Sequence, residues 1–216
     1  MNSTIGKRKV QVNAERRIGL MGGAFNPVHY GHLSAAEEAR ERFHLEMVIF
    51  LPCGRPVWPK DGLADAEVRF SMVALAIAEN ESFTCSRLEL ERSGPSYTAD
   101  TLRYFRTSHP DWRLFFITGL DAVLEFDSWR DPEEVLQLAE LLVVNRPPYQ
   151  VPPSFALSGH PRVHLIETPG LALSSREIRD RVRNGRSIRY LVPPLVAATI
   201  MKEKLYQERK EQIACG

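Results

Sequence analysis

The chain has 216 residues, 44% of them hydrophobic and 25% charged, enough apolar material to bury a full core within one domain. Lys and Arg number 28 against 27 Asp and Glu; this formal charge of +1 excludes a global field for nucleic acid or an anionic membrane, so any anion must be held by locally placed donors. No apolar run approaches the roughly 20 residues of a membrane helix, no secretory leader is legible, and the three cysteines, Cys53, Cys85 and Cys215, are too scattered for a disulfide framework, so a reduced, cytoplasmic protein is expected.

Met1–Arg16 is polar and basic, and is expected to be a disordered arm ahead of a single domain spanning 17–216. Arg17–Met21 is a short apolar run that stops at Gly22-Gly23, and a helical pattern follows from about His32 to Phe43. Met47–Leu51 is a second apolar run, ended by Pro52; runs bounded by Gly or Pro suit strands buried on both faces of a parallel sheet. The alternation continues with a helix over Ala66–Ala78, a strand over Phe83–Leu90, a helix over Thr98–Arg106 and a strand over Arg113–Thr118. A helix near Asp131, with Pro132 at its first position, precedes a strand over Glu140–Val144. The Pro-, Ser- and Gly-rich stretch Pro147–Pro161 reads as a long surface loop, because Val163–Ile166 resumes as a strand. Two helices finish the chain, one from Ser174-Ser175 to Asn184-Gly185, the other from Pro193-Pro194 to about Lys210. The pattern predicts an α/β fold, a Rossmann-like parallel sheet flanked by helices, with a small C-terminal helical part.

In such sheets ligands bind beyond the carboxyl ends of the strands. The loop after the first strand reads Gly22-Gly23-Ala24-Phe25-Asn26-Pro27-Val28-His29-Tyr30-Gly31-His32. Paired glycines admit a phosphate to the backbone, and a helix start offers unpaired N–H groups and partial positive charge. His29 and His32, three residues apart, face one phosphate if the helix starts near Val28. The loop is neither a P-loop nor a GxGxxG turn, and it lacks further local ligands for zinc. A second cluster, Ser174-Ser175-Arg176-Glu177-Ile178-Arg179, places two hydroxyls at a helix start and an arginine one turn inside.

The first segment closely resembles the HxGH signature of the nucleotidyltransferase superfamily, and the second its Ser-Ser-Thr-x-Ile-Arg signature, with Arg176 in place of threonine. Leu88–Leu102, Thr118–Asp121, Trp129-Arg130, Val143–Pro147 and Ser187–Pro193 resemble the corresponding segments of the bacterial nicotinate-nucleotide adenylyltransferases, so that the likeness runs from about Arg17 to Tyr206. It implies transfer of AMP from ATP to nicotinate mononucleotide, giving deamido-NAD and pyrophosphate, with Mg2+ arriving on ATP. It implies catalytic roles for His29, His32 and Arg179, and ATP contacts from Gly22, Gly23, Phe25, Lys60, Gly119, Asp121, Ser174 and Ser175. The acceptor pocket is assigned to Ser96, Tyr97 and Thr98, which open a helix able to receive a carboxylate, and to Trp129, whose face suits a pyridine ring.

Two departures stand out. Asn26 sits where many relatives carry aspartate, and Arg55-Pro56-Val57-Trp58-Pro59-Lys60 replaces a common Pro-Pro-His-Lys stretch, leaving Trp58 open as a lid, a partner contact or packing. The alternatives are an adenylyltransferase preferring nicotinamide mononucleotide or another phosphate acceptor, and a silent nucleotide-binding module. Neither a nucleic-acid nor a membrane partner is expected, and a homo-oligomer is left open.

Overall fold

The computed structural model describes residues 15–58, 62–145, 151–152, 155–168 and 173–207. The expected arm up to residue 14, Lys60, the Arg146-Pro147 pair and Cys215 lie outside the described residues. The first strand, β1 (Arg16–Gly23), takes in Arg16, one residue of the expected arm, whose guanidinium pairs with Glu46.

Six strands form one parallel sheet: β1, β2 (Met47–Pro52), β3 (Phe83–Cys85), β4 (Trp112–Gly119), β5 (Ala139–Asn145) and β6 (Val163–Glu167), in the order β3-β2-β1-β4-β5-β6. The chain winds one way from β1 to β3 and the other way from β4 to β6, so the order reverses between β1 and β4. The loops leaving those two strands therefore diverge and open a crevice.

Alternation along the strands sorts the core into two layers. Ile18, Leu20, Leu114 and Phe116 face α4 (Thr98–Ser108), the short α5 (Leu120–Val123) and α6 (Pro132–Leu138). Met21, Phe115 and Ile117 face α1 (Tyr30–Arg42) and α2 (Ala66–Ile77). The C-terminal helices α7 (Ser175–Arg183) and α8 (Pro194–Lys202) bury Ile178, Val182, Val196 and Ile200 in this second layer, so they complete it. Among the described residues no helix is long and apolar enough to cross a membrane.

Two expectations are corrected. The strand expected over Phe83–Leu90 ends at Cys85, and a short helical turn, α3 (Leu88–Glu91), replaces its second half. The Ser86 hydroxyl accepts the Leu88 N–H and turns the chain out of the sheet. The last helix ends at Lys202 instead of Lys210. Lys204 takes a left-handed φ of 50°, while its N–H donates to the Met201 carbonyl and that of Leu205 to the Ile200 carbonyl, a Schellman closure without glycine.

Candidate active site

The loop after β1 reaches α1 through Phe25, in a left-handed conformation, and a cis Asn26-Pro27 bond. His29 is the N-cap of α1, so the helix begins at Tyr30, two residues later than Val28. His32 then occupies the third helical position, and its Nδ1 accepts the His29 N–H at 3.2 Å. That bond fixes the tautomer of the neutral ring, leaving the proton on Nε2. The two imidazoles lie 3.7 Å apart between centroids, His29 almost fully buried and His32 partly open. Gly31 lets the ring in closely: a Cβ there would sit 3.0 Å from the His29 ring, which would have to shift by a few tenths of an ångström. Phe25 is buried, meets His32 edge-on at 5.1 Å and orients it. Its ring therefore belongs to the core.

The second cluster arrives from far along the chain. Ser174 caps α7 by accepting the Glu177 N–H. The Ser175 hydroxyl donates to the Pro27 carbonyl, and Arg179 Nη1 donates to the Asn26 carbonyl, both at 2.9 Å. The two sequence motifs thus form one site, although Ser175 spends its proton on the loop, which competes with the phosphate contact expected of it. Gly22 and Gly23 leave the sheet where a Cβ would press on Phe116 and Phe25. Across the crevice, Gly119 caps α5 and leaves room for the Asp121 carboxylate, which folds back over it.

Ser96, Tyr97, Thr98 and Trp129 meet in a pocket of about 220 Å³. Tyr97 is the N-cap of α4 and makes no side-chain cap, while the Ser96 N–H is already given to the Arg55 carbonyl. The Thr98 hydroxyl and the first turn of α4 remain as donors beside this pocket. Trp129 is pinned by donating its indole N–H to Ala122 and by Phe116 and Phe126 at its edges. Arg130 lies over the Tyr97 ring at 4.8 Å and also lines the pocket. Val57 and Trp58, the latter 66% exposed, supply a further wall. A separate groove of about 450 Å³ between α1 and α2 holds none of the expected site residues.

Sequence reasoning missed Arg69, Asn26 as a hub, and Tyr206. Arg69 is fully buried, and its guanidinium donates to the carbonyls of Ala24, Cys53, Gly54 and Ala64, stitching the loops after β1 and β2 to α2. A signal existed: Arg69, Met72, Val73 and Ile77 form one helical stripe, and an arginine on a core-facing stripe is anomalous. Asn26 is 3% exposed; its Nδ2 donates to the Gly62 carbonyl, and its Oδ1 accepts the Ala64 N–H and the Tyr206 hydroxyl. The donor requirement at Gly62 explains an amide in place of a carboxylate. Among the described residues no group of three or more His, Cys, Asp or Glu side chains could cage a metal.

A reversing parallel sheet with paired histidines at its switch point defines a nucleotidyltransferase of the cytidylyltransferase-like class, and that family's model matches residues 20–181. The chain is 47% identical over 193 residues to a probable nicotinate-nucleotide adenylyltransferase of Leifsonia xyli, covering 88% of this chain and 94% of the relative. It is 44% identical over 205 residues to one of Moorella thermoacetica, covering 91% and 94%. The chain belongs to the nicotinate-nucleotide adenylyltransferase family. A Plasmodium falciparum nicotinic acid mononucleotide adenylyltransferase solved with NaAD shares the fold with a TM-score of 0.76 at 22% identity, over 88% of this chain and 97% of that one.

Proposed function

We infer that the protein transfers the AMP part of ATP to nicotinate mononucleotide, forming deamido-NAD and pyrophosphate, a step of NAD biosynthesis. The observation that carries this reading is the aromatic pocket of Tyr97, Trp129 and Trp58 at the uncapped start of α4. Its walls suit a flat pyridine ring, and the first-turn N–H groups with the Thr98 hydroxyl suit a carboxylate. A carboxamide would also need an acceptor there. The acceptor's phosphate is ionised at neutral pH and attacks the α-phosphorus of ATP in line, so no general base is needed.

Catalysis is then positioning and charge stabilisation. His32 donates from Nε2 to a phosphate oxygen as a neutral ring; a second proton on Nδ1 would cost the bond to the His29 N–H. Arg179 turns its remaining N–H groups to the departing pyrophosphate, and Ser174, which accepts as a cap, keeps its own proton to donate. Mg2+ enters as Mg-ATP, part of the substrate. The reaction takes place in the cytoplasm.

The test is pyrophosphate release from Mg-ATP with nicotinate mononucleotide, nicotinamide mononucleotide and phosphopantetheine as separate acceptors. The expected kcat/KM for the first exceeds that for the second at least about tenfold, roughly 1.4 kcal/mol of discrimination. Equal values would remove the carboxylate assignment at Thr98, and no release from folded, ATP-binding protein would leave only a nucleotide-binding module.

A further inference from the structure

The backbone of the loop that carries His29 and His32 is held by side chains from distant parts of the chain. Arg69 takes the Ala24 carbonyl at 2.7 Å, Arg179 the Asn26 carbonyl and Ser175 the Pro27 carbonyl. The remaining fastener comes from the far end of the described chain. After the Schellman closure of α8, Tyr206 itself adopts a left-handed φ of 61°. That conformation is strained for any residue with a Cβ and more so for an aromatic one. Two such residues in three, Lys204 and Tyr206, aim a phenol at the phosphate loop, where its hydroxyl donates to Asn26 Oδ1 at 2.8 Å. With the Ala64 N–H on the same oxygen and Nδ2 on Gly62, the Asn26 amide has one orientation. Burial pushes the Tyr206 hydroxyl well above the ordinary phenol range, against the pull of Arg179 and Arg69, so it remains a donor at neutral pH.

We propose that Tyr206 is a positioning residue for adenylyl transfer: its hydroxyl, acting through Asn26, sets the conformation of the Phe25–Pro27 loop and hence the places of His29, His32 and Arg179 on the phosphates of ATP. Three observations converge on this role: the strained backbone, the hydroxyl used on one buried amide, and the direct bond from that residue's carbonyl to Arg179. Leu205 and Tyr206 pack against the same core layer as α1 and α2, so the ring is seated without the hydroxyl, and removing the oxygen alone isolates the bond.

The proposal rests on the adenylyltransferase reading, and its test separates the two. Wild type and Tyr206→Phe are compared by steady-state kinetics with ATP and nicotinate mononucleotide, by calorimetric ATP binding and by amide exchange. Tyr206→Phe is expected to raise the KM for ATP and lower kcat, with kcat/KM for ATP down about fivefold to tenfold and the KM for nicotinate mononucleotide within about twofold of wild type. Exchange in the peptide covering 22–29 should quicken while Trp112–Gly119 stays protected. In an Asn26→Ala background the same change should add nothing, since the hydroxyl then has no partner to act through. Kinetics, binding and exchange all unchanged in Tyr206→Phe overturn the proposal. So does a parallel loss on the ATP and acceptor sides that follows a fall in Tm, which would mark a general structural role. A wild type that binds ATP but transfers nothing would sink the adenylyltransferase reading, while binding and exchange still decide whether Tyr206 sets the loop.

Discussion

At the scale of single residues, the histidine loop divides its atoms between holding and acting. His32 Nδ1 holds, as the acceptor of the His29 N–H, and Nε2 is the atom proposed to act. His32→Ala removes one preorganised donor from the phosphates and should lower kcat by about 10²-fold or more. Because the ring is only partly buried, circular dichroism should show a folded protein; near-normal turnover in that protein would exclude the role given to His32. These histidines were legible in the sequence because a GGxFNP turn and two histidines around a glycine have a local physical cause, a crowded helix start built for anions. Asn26 and Tyr206 were not legible, because their meaning lies in bonds to Gly62, Ala64 and one another across up to 180 positions of chain.

Among elements, α2 matters most to the site through a single side chain. Arg69 satisfies the Ala24, Cys53 and Gly54 carbonyls in the loops after β1 and β2 with one guanidinium. Arg69→Met should cost at least about 3 kcal/mol, the desolvation left on several buried acceptors, read as a lower urea midpoint. Lysine should not rescue it, since a point ammonium cannot span that fork. Strands were most legible in the interior of the sheet, where β1, β2, β4 and β5 carry apolar runs ended by Gly, Pro or Asn; the edge strands β3 and β6 have no such ending. Helix ends were legible only where the stopping residue announces itself. Gly185 carries a φ of 64° beyond α7 and was read correctly, whereas Lys204 does the same beyond α8 at a cost of about 1–2 kcal/mol and gives no sign of it. The Leu88–Glu91 alternation mimicked a strand; the Ser86 turn, the close approach of the Glu89 backbone to Gly54 and the bond from Thr101 to the buried Glu89 carboxylate are tertiary features that the alternation does not reveal.

For the molecule as a whole, acid stability has an identifiable source at the opposite end of the sheet. Glu140 on β5 accepts from Arg113 on β4 at 2.8 Å and bonds His164 on β6 at 2.7 Å, joining three strands through one carboxylate. Burial alone would raise Glu140, but the Arg113 and His164 bonds outweigh it and hold the carboxyl below its ordinary range. A depressed folded value means that the stabilisation is present above the unfolded value, about pH 4.3, and is lost as pH falls through the folded one. Glu140→Gln should therefore lower Tm at pH 7 and flatten its decline below about pH 4.5; parallel Tm curves for the two proteins would rule the carboxylate out as the source. The same long-range wiring that conceals the site from a reader of the sequence also governs its birth. On the ribosome the histidine loop emerges well before Ser175, Arg179 and Tyr206, which fasten it from 148, 153 and 180 positions further on. A nascent chain stalled before Tyr206 has its six strands and the Ser175 and Arg179 bonds to the loop, but lacks the hydroxyl that orients the Asn26 amide. If Tyr206 sets the loop as proposed, full affinity for ATP is expected only once synthesis has passed that tyrosine.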